Sequence, residues 1–177
     1  MAAAIFEQRL REAGSTSGWQ IASAGTWTRE GLPAARRAQS VMQEWGIDIQ
    51  AHRSRQISGD LLATANLVVV MTSNHREALT AEFPGDASRI CRLGDLAGVR
   101  YDIPDPINGS LDDVRIVARE LDTLLTTKLD VFLETARALQ PSTEIGSSHD
   151  AMTQPPSPHH DDSRRPEIRP VPRSLLI

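Results

Sequence analysis

Along the first 140 residues the apolar positions switch between two periods, and the alternation predicts helices and strands in turn. Residues 2–13 place Ile5, Phe6, Leu10 and Ala13 along one side of a helix that Gly14 can end. Trp19 to Ala24 reads as a strand. Pro33 suits a first helical position, and Ala34, Ala38, Val41, Met42 and Trp45 then recur at helical spacing up to Gly46. Ser58 caps a short helix through Ala65. The run Leu67-Val68-Val69-Val70-Met71 is that of a strand buried on both faces of a parallel sheet. Asn74 with Glu77 fits a capping box for a helix to about Phe83. A weaker strand covers Arg89 to Leu93, and a loop spans Gly94 to Gly109. Ser110 with Asp113 then opens the longest helix, whose stripe runs from Val114 through Leu121 to Phe132.

Strands alternating with helices predict an α/β fold with a doubly wound parallel sheet. Two features are unusual. The chain opens on a helix that no strand precedes, and only three strands are available to the sheet.

Composition divides the chain in two. Residues 141–177 hold 7 of the 11 prolines and 3 of the 5 histidines, with few apolar side chains. Such a segment cannot offset the entropy of its own ordering, so it is expected to be a Pro-rich disordered tail. The domain is then residues 1–140. A net charge of −4 argues against an electrostatic nucleic-acid binder. No apolar stretch reaches the roughly 20 residues that span a bilayer, and the first residues lack the basic and apolar regions of a secretory signal. The expectation is a cytoplasmic protein with no membrane or nucleic-acid partner. The single cysteine, Cys91, excludes an internal disulfide and any zinc site built from cysteine pairs.

Chemistry is concentrated in few places. In Asp102-Ile103-Pro104-Asp105-Pro106-Ile107 two prolines stiffen the backbone around Asp105. Two readings stay open: a general acid or base held in position, or a stiff turn with a solvated carboxylate. Asp102 is assigned to the turn. Trp27 follows a strand end, where ligands gather in open α/β sheets; it either walls a pocket or covers the sheet. Cys91 lies in an apolar strand, the setting of an inert thiol. His52-Arg53-Ser54-Arg55-Gln56 reads as a solvated or structural stretch, and His75 as exposed. His159-His160-Asp161-Asp162 has ligand residue types without preorganisation, so no metal and no cofactor is expected.

Read together, Ser23-Ala24-Gly25-Thr26, Gly31-Leu32-Pro33-Ala34, Trp45-Gly46-Ile47-Asp48, His52-Arg53-Ser54-Arg55-Gln56, Val70-Met71-Thr72 and Asp102-Ile103-Pro104-Asp105-Pro106 occur in a telling order. In that order and spacing the chain resembles the low-molecular-weight protein tyrosine phosphatases, bacterial type, over nearly all of residues 1–139. The resemblance implies hydrolysis of phosphotyrosine in proteins through a cysteinyl-phosphate intermediate. A Cys-x5-Arg loop at a helix N-terminus cradles the phosphate, and its thiolate attacks phosphorus. Asp105 matches the acid that protonates the leaving phenolate. Trp27 and Ile107 match substrate-binding positions.

The same resemblance makes Met1 the methionine that follows the phosphate loop. The first strand and the Cys-x5-Arg loop would then lie upstream of Met1. That implies an N-terminally truncated, inactive form whose sheet lacks its central strand and leaves two inner edges unpaired. Two alternatives accompany this reading: a non-catalytic phosphatase-like interaction module or remnant, and an arsenate reductase. The second needs resolving cysteines that a chain with only Cys91 does not supply. Oligomeric state is left open.

Overall fold

The computed structural model describes residues 1–139 and 173–176. Seven α-helices and four strands are found among them: α1 (Ala2–Glu12), β1 (Trp19–Ala22), α2 (Arg36–Glu44), α3 (Gly59–Thr64), β2 (Leu67–Val70), α4 (Ser73–Glu82), β3 (Ile90–Arg92), α5 (Leu93–Ala97), α6 (Leu111–Thr127), α7 (Leu129–Ala138) and β4 (Arg173–Leu176). The strands form one parallel sheet in the order β1-β4-β2-β3. Helices cover both sides, as a doubly wound sheet requires.

The period-2 alternation of β2 divides the core. Leu67 and Val69 face a cluster that includes Phe6, Leu10, Met42, Val117, Leu121 and Phe132. Val68 and Val70 face the other, with Leu62, Leu79, Ile90 and Leu176. Every residue of β2 is buried, which accounts for its unbroken apolar run. Phe6 and Phe132 meet edge to face at 5.8 Å and tie α1 to α7. Polar ties hold the helices together further out: Arg9 Nε donates to Asp122 at 2.6 Å between α1 and α6, and Arg115 Nη2 donates to Glu44 at 2.6 Å between α6 and α2.

β4 departs most from expectation. Composition places the last residues in a disordered tail, yet 173–176 form a strand at the centre of the sheet. Its Cα register runs from Trp19 opposite Arg173 to Ala22 opposite Leu176, and it pairs Leu67 with Leu175 on the other side. β4 therefore fills the gap that the sequence left between β1 and β2. The physical reason is the cost of the alternative, because each buried unpaired backbone group loses about 1–3 kcal/mol. Leu176 seals the gap at 3% exposure. Residues 140–172, with the His159–Asp162 run, lie outside the described residues.

Local corrections follow the same logic. Pro33 does not start α2; it bridges Arg53, and the helix begins at Arg36. α4 is capped two residues earlier than Asn74, by Thr72, whose Oγ1 accepts from the His75 amide at 3.1 Å. Arg89 ends a 3-10 turn (Pro84–Arg89) instead of opening a strand. Buried there, it donates to the carbonyls of Leu62 and Ala65 and pairs with Asp86. Its charge thus caps the C-terminal end of α3. Leu93–Ala97 is a helix where the sequence pattern predicts the end of a strand at Leu93 and a loop from Gly94, and the long helix breaks at Lys128 into α6 and α7.

Because Phe132 is fully buried and is the ring partner of Phe6, Phe132→Ala is expected to lower stability by about 3–5 kcal/mol, with Phe132→Leu costing less than half as much. Urea unfolding followed by Trp fluorescence measures both. A loss below about 1 kcal/mol for the alanine variant contradicts this packing.

Candidate active site

A cleft opens where β1 ends. Ser23, the residue after β1, lines it with Met1 at the N-cap of α1, Ala3 of its first turn, Arg36 and Arg37 of α2, His52, and the run Asp105-Pro106-Ile107. α1 has no side-chain cap at its N-terminus, so the amides of its first turn carry the positive end of the helix dipole without a bonded side chain. The arginines add to that charge.

Asp105 is positioned from both ends of its loop. On the incoming side, Asp102 Oδ1 accepts from the Ser73 amide and hydroxyl, both at 3.1 Å, and from Arg92 Nη1 at 2.8 Å. The Arg92 guanidinium, with the Ser73 amide, holds the Asp102 carboxyl below its ordinary pKa. Ile103 is buried at 2% exposure, and its amide donates to the Met71 carbonyl at the end of β2. On the outgoing side the loop runs into the capping box of α6, where Ser110 and Asp113 bond reciprocally. Gly109 is required there, since a Cβ would sit 2.9 Å from the Asp113 side chain. Between these anchors the exposed Asp105 accepts from the Ile107 amide at 3.0 Å through Oδ1. The turn role assigned to Asp102 matches its place.

Ile107 lies in the same cleft as Asp105. Trp27 stands apart: it is 95% exposed and is not among the residues lining the cleft. Its loop is nevertheless fixed. Gln56 accepts from the Thr28 amide at 3.0 Å and donates to the Thr26 carbonyl at 2.6 Å, on either side of Trp27. Arg55 Nε donates to the Ser23 carbonyl at 2.8 Å. The basic stretch thus does structural work, as one of its two readings had it.

Cys91, on β3 and paired with Val69 of β2, is not among the residues lining the cleft. Burial pushes its thiol pKa up; Arg76 opposes that shift and Asp95 adds to it. Among the described residues no group of His, Cys, Asp and Glu could hold a metal ion, and no helix is long and apolar enough to cross a membrane.

The cleft residues that sequence reasoning passed over are Arg36, Arg37 and His52. A signal for the arginines existed. α2 begins with two cations and no acid in its first turn, against the preference set by the dipole. Side chains so placed are explained by what they face. His52 is held below its ordinary pKa by partial burial, then by the Met1 ammonium, Arg55 and Arg53.

Comparison with known proteins identifies the family. Residues 1–138 match the family pattern described as low molecular weight phosphotyrosine protein phosphatase. The chain belongs to that family. It is 33% identical over 126 residues to a protein-arginine-phosphatase of Geobacillus stearothermophilus, covering 71% of this chain and 81% of the relative. It is also 33% identical over 111 residues to a probable low molecular weight protein-tyrosine-phosphatase, EpsP, of Ralstonia nicotianae, covering 63% and 71%. Among solved structures, the low molecular weight protein tyrosine phosphatase from T. tengcongensis superposes with a TM-score of 0.67 at 31% identity, covering 75% of this chain and 87% of that one.

Two outcomes are expected. Modification of Cys91 by iodoacetamide at pH 7.5 is slower than that of a free thiol and accelerates above the ordinary cysteine range; a rate above that of free cysteine at pH 7.5 contradicts the unactivated thiol. Second, Asp102 has a depressed folded-state pKa, so its contribution to stability is present above the unfolded-state value and is lost as pH falls through the folded one. Asp102→Asn is therefore less stable than the parent at pH 7, and the gap narrows on acidification below about pH 4. Thermal melts at stepped pH check this; a gap independent of pH contradicts it.

Proposed function

We propose that the cleft is the substrate side of a phosphomonoesterase site acting on phosphotyrosine in proteins, with Asp105 as general acid. The observation that carries this is a single carboxylate, pinned on a stiff loop, facing the uncapped N-terminal turn of α1 across a cleft with arginines. Phosphate binds where amides and cations converge. A phenolate leaving group has a pKa of ~10, so a proton delivered by Asp105 lowers its barrier. Ile107, 62% exposed at the rim, offers apolar surface to an aromatic ring.

The rest of the reaction needs a thiolate that attacks phosphorus and an arginine that holds the equatorial oxygens. The 177 residues hold no Cys-x5-Arg: six positions after the single cysteine, Cys91, stands Ala97. These residues alone are therefore expected not to turn over. A strand and Cys-x5-Arg loop entering α1 from ahead of Met1 would put the thiolate at the positive end of that helix.

A second reading has an observation of its own. The residues that line the cleft include cations but no cysteine, which favours a non-catalytic module in which the cleft binds phosphoryl groups without cleaving them.

p-Nitrophenyl phosphate, a phosphotyrosine peptide and a phosphoarginine peptide are the substrates to assay. The 177-residue chain is expected to give background rates on all three, and turnover lost on Cys91→Ser would overturn this reading. Extended ahead of Met1 by an apolar strand and a Cys-x5-Arg-Ser-Pro loop, it is expected to hydrolyse the phosphotyrosine peptide. Asp105→Asn should then slow poor leaving groups by about 10²–10⁴-fold and good ones less. Equal slowing for all leaving groups removes Asp105 from the acid role. An extended chain that binds phosphotyrosine peptide but hydrolyses none of the three supports the binding module.

A further inference from the structure

Several arginines are held by the chain's own groups. Arg9, Arg76, Arg92 and Arg115 pair with carboxylates, and Arg53 and Arg55 donate to backbone carbonyls. Arg36 and Arg37 differ. Both are exposed in the first turn of α2, and neither pairs with an acid among the described residues. That turn holds no acid, although the helix dipole favours one there. The two cations share the cleft with Asp105, Pro106 and Ile107, and Asp105 is the one carboxylate in its lining.

Arg36 also lines an adjoining groove along α2, with Gln39, Ser40, Gln43, Asp48 and Gln50. The two depressions meet at Arg36 and Ile49. Asp48, the only acid lining the groove, accepts from the Gln50 amide at 2.8 Å and closes its own turn. A peptide with its phosphorylated side chain in the cleft has this polar path beside it, and uncommitted cations stand at the junction.

We propose that Arg36 and Arg37 select the sequence around the phosphorylated residue, favouring substrates with Asp or Glu close to it in the chain. This rests on the phosphotyrosine reading of the cleft and adds a substrate class to it, acidic phosphopeptides. A guanidinium offers paired N–H donors that match a carboxylate. Each exposed pair is weak alone, so the preference needs both cations and several acids, and salt screens it. Lysine beside the phosphotyrosine meets like charge at the same place and is disfavoured.

The test titrates the 177-residue chain into four fluorescein-labelled peptides, read by anisotropy. Three carry phosphotyrosine flanked by glutamate, alanine or lysine; the fourth is the glutamate peptide without phosphate. At low salt the glutamate phosphopeptide is expected to bind about five- to tenfold tighter than the alanine one, with the lysine one weakest. The differences should shrink as salt rises. The double variant Arg36→Glu/Arg37→Glu puts acids where the dipole favours them, so α2 stays folded. In that variant the ratio of glutamate to lysine affinities is expected to invert. Phosphate-dependent binding that ignores the flanks overturns this proposal and leaves the phosphotyrosine reading standing. So does a double variant that weakens all three phosphopeptides by one factor, since the arginines then hold the phosphate itself. Equal binding of the glutamate peptide with and without phosphate, or no binding of any peptide, overturns the phosphotyrosine reading and this proposal with it.

Discussion

A parallel sheet covered by helices on both faces cannot leave an inner strand edge unpaired, and this constraint organises the chain. β2 is buried along its whole length, so the amides and carbonyls on its edges need backbone partners, whereas β1 is half-buried with Gln20 exposed. β4 lies between them and pairs four residues with β1 and two with β2. What it sustains is larger than itself: the two apolar clusters meet across the sheet, and Leu176 extends one of them. The helices behind Phe6 and Phe132 then have a continuous surface to pack on.

The same framework positions the cleft. Ser23 is there because β1 ends at Ala22, and the Asp105 loop is there because Ile103 continues the backbone pairing of β2 through the Met71 carbonyl. Two aspartates three residues apart take different tasks from this. Asp102 commits its carboxylate to Ser73 and Arg92 and builds the loop. Asp105, beyond the buried Ile103, has left the framework and faces the cleft. The prolines flanking it remove backbone freedom that would otherwise blur its position.

The elements legible in the sequence were those with a local cause. The apolar run of β2, the Ser58 and Ser110 caps and the stripe of α6 each declare themselves within a few residues. The stiff loop around Asp105 was legible because its two prolines act locally, and it lines the cleft with Ile107. What was not legible depends on distant partners. Nothing in Arg-Ser-Leu-Leu announces a central strand at the end of a proline-rich stretch; the empty gap between β1 and β2 calls for it, and that gap is a property of the fold. The buried Arg89 is similar, since its acceptors lie on α3 and just after it, 27 and 24 residues away. Arg36 and Arg37 were passed over because apolar spacing finds helices and says nothing about the cavity a helix end faces.

Stability and chemistry meet in one place. The only cysteine among the 177 residues sits on β3 with a raised thiol pKa, so it offers neither the location nor the charge state of a nucleophile for the cleft. The position that would offer both is the carboxyl end of the central strand, beside the uncapped start of α1. β4 ends level with Ala22, one residue short of Ser23 in the cleft. On the proposed reading, a strand delivering a thiolate loop to α1 would need the slot that β4 occupies. Backbone pairing allows one strand there at a time.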